Sequence, residues 1–171
     1  LNHDNGKKIP PVVNSIVKSH PESNYREETN YHYRFPQWAP NRKLFLGFLE
    51  FEITDCVANS RTCHQLVYNQ ESEILQPCRI TFQVDTTLLY QKSIVPEIKY
   101  ITSSSRISTH SDGRFFLYDA LVTEDDYLNN TRTTIYTELR KEDARTASIR
   151  TIYSYPDSAV KIKEVLTRYR Y

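Results

Sequence analysis

The sequence predicts a mainly β chain (or an α+β one with little helix): a six- to seven-stranded antiparallel curled sheet or barrel with one C-terminal α-helix. Three observations carry that expectation. The stretch Lys43–Val57 (KLFLGFLEFEITDCV) is the most apolar run, and within it Leu49, Phe51 and Ile53 alternate with Glu50, Glu52 and Thr54, the period of a half-buried strand. Asp112-Gly113 lies between two strand-like segments, and an Asp-Gly pair in that setting reads as a tight hairpin turn. At the end of the chain, Ile162, Val165, Leu166 and Tyr169 fall at helical spacing, the stripe of an amphipathic helix.

The elements follow in order. Residues 1–40 hold five of the eight prolines and read as a proline- and aromatic-rich tail or strap, with residues 41–171 forming a single β-rich domain. Inside the strap, Val12, Val13, Ile16 and Val17 have one-turn helical spacing after Pro11, a favoured first-turn residue. Tyr25–Trp38 carries five aromatics, too many for a free linker, so part of it is expected to dock on the core. Lys43–Val57 is the central strand, and Gly47 within it suggests a bulge or a close backbone approach. Strand patterns follow at Thr62–Tyr68, Cys78–Leu89, Glu97–Thr109 and Arg114–Thr123, with a loop at Asn69–Gln76 and a break at Pro96. Thr133–Leu139 and Thr146–Tyr153 then flank the charged loop Arg140–Arg145 as a second hairpin, joined to the first by Asp125–Asn130. Asp157–Tyr171 is the expected helix: Pro156 precedes it, Asp157 or Ser158 can cap it, and Arg168 and Arg170 suit its C-terminal end. Tail, strands, then a helix is a PH-like or OB-like element order, similar to pleckstrin-homology-like folds and to some oligonucleotide-binding barrels; the resemblance is one of order alone.

Composition narrows the function classes. A chain of 171 residues with 39% hydrophobic and 25% charged residues has ordinary globular usage. A net charge of +1 supplies no global field toward nucleic acid or anionic lipid. Only three glycines are present, which argues against phosphate-cradling loops. No apolar run approaches the roughly 18 residues that a membrane helix needs, so no membrane is expected among the partners. The chain begins at Leu1 and contains no Met, and reads as a fragment or a processed mature chain. Three cysteines are too few for a disulfide framework and favour a reducing compartment, nucleus or cytoplasm, with secretion as the alternative.

Candidate chemistry is sparse. Cys56, Cys63, His64 and Cys78 are zinc-competent residue types, but they lack the short knuckle of roughly two to four residues, and Cys63 and His64 would face opposite sides of a strand. Buried thiols account for them; no metal and no cofactor is expected. Cys63 with His64 or His110 has no Gly-flanked nucleophile signature, and Glu50 with Glu52 reads as a solvated strand face before an acid–base pair. Asp125-Asp126 lacks a calcium-loop pattern, and Asn129-Asn130-Thr131 is a glycosylation acceptor only in a secreted protein. The expectation is a protein that is not an enzyme.

Rings beside cations are the more informative feature. The leading expectation is a non-enzymatic protein–protein interaction domain acting within a larger assembly, whose partner is another protein chain or peptide segment bound at a sheet edge or groove. Trp38, Tyr31, Tyr33, Arg34 and Phe35 are the expected partner contacts, since Trp and Tyr dominate binding hot spots. The alternative is a β-barrel binding single-stranded nucleic acid through Arg114, Tyr118, Arg168, Arg170 and Tyr171, by base stacking and phosphate attraction. A second alternative is a secreted β-barrel carrying a small apolar ligand.

Overall fold

The computed structural model describes residues 8–19, 21–22, 26–40, 44–70, 72–101, 107–108, 115–141 and 143–171. Among these there is no helix; the chain is all β. Its contacts divide it into two units, Leu1–Leu89 and Tyr90–Tyr171.

In the first unit five strands pair antiparallel in chain order: β1 (Ser15–Ser19), β2 (Arg26–Trp38), β3 (Phe45–Asp55), β4 (Ser60–Asn69) and β5 (Ile74–Val84). The alternation that marks the central strand does so correctly, since β3 lies between β2 and β4. The second unit contains most of β6 (Thr87–Ile101), then β7 (Ile107–Ser108), β8 (Phe115–Asp126), β9 (Thr131–Leu139), β10 (Thr146–Ser154) and β11 (Lys161–Arg168). Its order is β6-β8-β9-β10-β11, with β7 on β6. β9 and β10 pair across residues 140–145 as their spacing predicts. The Asp112-Gly113 turn lies outside the described residues, although the strands flanking it, β6 and β8, do pair antiparallel.

Five expectations are corrected. The strands number eleven among the described residues, not six or seven, because the strap itself supplies β1 and β2, the expected strand Glu97–Thr109 is divided between β6 and β7, and the expected helix is β11; Ile74 also opens β5 inside the expected loop. Neither unit closes as a barrel: β1 pairs with β2 alone, and β11 with β10 alone. Closure asks for tight bends at glycine kinks, and the chain has three glycines. The helix expected over Asp157–Tyr171 is strand β11. Ile162 and Leu166 share one side of that strand and Val165 the other, and β10 offers a ladder from Ser148 to Ser154. A short helix without a face to pack is marginal in water, whereas this β-branched segment gains a paired neighbour. With the helix and barrel gone, the PH-like or OB-like order is gone too. The helical spacing of Val12–Val17 is likewise overturned, since residues from Ser15 onward form β1.

Proline does not end strands here. Pro36 sits in β2 beyond the stretch that pairs with β1, while Pro77 and Pro96 fall at register shifts. These are the edge and bulge positions where a missing N–H costs no ladder bond. Two hairpins share a turn. Asp55 accepts from the N–H groups of Val57 (2.9 Å) and Ala58 (3.0 Å) with Asn59 at φ 47°, and Asp126 accepts from the Asn129 N–H (3.0 Å) with Asn130 at φ 51°. Asx side chains suit both jobs.

Ala39, Tyr100, Val122 and Pro156 are the buried apolar residues among those described. Strands β2–β5 are half-buried for most of their length.

Candidate interaction surface

Register sorts the first unit into two chemically different faces, because directly paired residues of antiparallel strands project to the same side. One face is polar. Arg34 lies opposite Glu50, and Glu50 opposite Gln65; Glu52 lies opposite Cys63, and Arg61 pairs with Gln83 on the same side. Arg34 Nη1 reaches Glu50 Oε1 at 3.1 Å, Gln65 Nε2 donates to Glu50 Oε2 at 3.1 Å, and Arg61 Nε sits 3.4 Å from Glu52 Oε1. Both glutamates are thereby engaged by cations or amide donors, and their side chains, 16% and 15% exposed, are less solvated than a water-facing strand would leave them. Cys63 lies among them, its thiol pushed up by burial first and by Glu50 and Glu52 next. A thiol held protonated in this way is a poor nucleophile.

The opposite face is apolar. Tyr31, Ile53, Thr62 and Phe82 form one paired row, and Tyr33, Phe51, His64 and Ile80 the next. His64 stacks on Phe51 with centroids 4.4 Å apart and planes 6° from parallel. Burial lowers its imidazole pKa, so a neutral ring lies in this apolar row. His64 and Cys63 face opposite sides, and all three cysteines are free thiols.

Beside this face runs the strap. Ile9, Pro10 and Val12 wall an open groove of about 800 Å³ whose other wall includes Tyr31, Tyr33 and Phe48. Ring contacts extend from it: Tyr33 to Phe48 (5.0 Å), Phe48 to Phe45 (5.2 Å) and Phe45 to Trp38 (5.6 Å). Among the expected contacts, Tyr31, Tyr33 and Trp38 therefore meet in one aromatic train. Arg34 goes to the polar face. Phe35 is 61% exposed at φ 56°, a left-handed backbone that a bulky aromatic seldom adopts.

The nucleic-acid set is not gathered. Arg114 lies outside the described residues. The Tyr118 hydroxyl donates to Glu97 at 2.7 Å, while Arg168 belongs to β11, separated from β8 by β9 and β10 in the strand order. The Tyr171 ring lies under the guanidinium groups of Arg145 (5.1 Å) and Arg140 (5.8 Å). No family model, curated protein or solved structure matches this chain. Sequence reasoning did not reach Phe48, Phe51 and Ile9; the parity of Phe51 with Leu49 and Ile53 was the available signal.

Proposed function

We propose that this chain is a non-enzymatic protein–protein interaction domain that binds its partner through the apolar face of β2–β5 and the adjoining strap groove. One observation carries the reading: two paired rows of aromatic and aliphatic residues stand half-exposed, directly behind a face of ion pairs. A sheet gains most when such a face is covered, and the exposed aromatics nearby are the residue types that anchor interfaces. Occupied carboxylates on the polar face leave little for catalysis. The Tyr118 hydroxyl is taken up by Glu97 and the Tyr171 ring by Arg140 and Arg145, which favours protein over nucleic acid.

Placing a photoreactive benzophenone side chain at Phe51, and in a second protein at Thr81 on the polar face, tests this in cell extract. Labelling of one discrete protein from position 51, weakened by Tyr33→Ala and absent from position 81, is the expected result. Equal labelling from both faces, or none from position 51, would overturn the proposal.

A further inference from the structure

The second unit carries a different surface. We propose that the outer edge of β11 docks an extended acidic segment of another protein, which adds to it as an antiparallel strand. This site is separate from the β2–β5 face and does not depend on it.

The backbone comes first. The Tyr169 N–H donates to the Ala147 carbonyl at 3.0 Å, and inward and outward groups alternate along an antiparallel ladder. Arg168, Leu166 and Glu164 therefore turn their N–H and C=O groups away from β10. Every residue of β11 is exposed, so this row is open to a partner, the geometry of strand addition.

Charge then selects the partner. From Lys161 to Tyr171 four cations (Lys161, Lys163, Arg168, Arg170) accompany one carboxylate, Glu164. That carboxylate is already held by Arg150 at 2.6 Å and Lys161 at 3.0 Å. The edge is thus basic toward anything that approaches it. Two copies of β11 would set like charges against each other, which discourages self-pairing, and β1, with Lys18 its only charged residue, offers no acidic complement. Ile162, Val165 and Leu166 are 54%, 37% and 50% exposed, so a fitting strand mixes carboxylates with β-branched residues. A polynucleotide fits less well, since the ring best placed to stack a base, Tyr171, is covered by Arg140 and Arg145.

The probe is a fluorescent, end-capped peptide Glu-Thr-Val-Ile-Thr-Glu-Val, titrated with the full chain by anisotropy at low and high salt. Saturable binding that weakens with salt is expected. A version with Lys in place of Glu should bind about ten-fold more weakly, since two cross-strand charge pairs reverse sign. Leu166→Pro removes an outward N–H while sparing the ladder to β10, and should abolish binding with the β-sheet spectrum unchanged. The double variant Lys163→Glu/Arg168→Glu should prefer the Lys peptide. Undiminished binding by Leu166→Pro or by an N-methylated peptide would overturn strand addition, and equal affinity for both peptides would overturn the charge argument. Displacement of the peptide by oligothymidylate at matching concentration would mark a general polyanion site and overturn the proposal as well.

Discussion

Asp125 is the most deeply placed charge described, 3% exposed, and Arg132 closes on it with a fork: Nε to Oδ1 at 2.5 Å and Nη2 to Oδ2 at 3.0 Å. Removing one member of such a pair strands the other without water, which costs more than the pair contributes. Arg132→Ala should destabilise the second unit by about 3 kcal/mol, read from urea denaturation followed at β-sheet wavelengths, whereas Arg26→Ala, whose partner Glu28 is exposed, should change little. A second prediction concerns pH. Burial lowers the imidazole pKa of His64 below its ordinary 6.5, so the unfolded chain takes up the proton first. The stability from keeping this ring neutral is fully present above pH 6.5 and declines as pH falls toward the depressed folded value. His64→Phe keeps a ring against Phe51 and removes the titration. Its urea midpoint should lose the drop below pH 6.5 that the parent shows, and an identical drop in both proteins would refute the assignment.

At the scale of elements, β3 is held from both sides and pinned at one end by Gly47. Its φ of 133° lies where side chains are strained, and an added Cβ would meet Leu75 Cδ1 at 3.1 Å. Gly47→Ala should therefore cost about 1–3 kcal/mol, mostly through the backbone, because the Leu75 methyl can move; a neutral effect on the thermal midpoint would contradict this. The glycine was readable in the sequence as a bulge or close approach, and so was β3, because Leu49, Phe51 and Ile53 keep one parity against two glutamates. The ends were not readable. In β11 the positions Ile162, Val165 and Leu166 satisfy both a helical stripe and a strand, and what decides between them is β10, whose ladder is a non-local fact. β1 and β2 were obscured by five prolines and by polar residues that suit an edge as well as a tail. The paired Asp-x-x-x-Asn turns at Asp55–Asn59 and Asp126–Asn130 were available signals: an Asp that caps the turn and an Asn that tolerates positive φ. Of the expected site, Tyr31 and Tyr33 come together because alternate residues of one strand share a face, while Arg34, of the other parity, goes to the opposite side; Trp38 shares the parity of Arg34 and joins the train through Phe45, its partner across the register shift after Gln37.

For the chain as a whole, the half-exposed strands carry the argument. Strands β2–β5 are half-buried for most of their length and every residue of β11 is exposed, so surface remains there for a partner to bury. The urea m-value follows the surface exposed on unfolding, and covering these strands adds to it. Saturating the protein with a bound partner should therefore raise both the midpoint and the m-value together. A midpoint that rises at constant m would mean that the ligand simply stabilises the chain by mass action without covering new apolar surface, and the interaction-domain reading would then lose its physical basis.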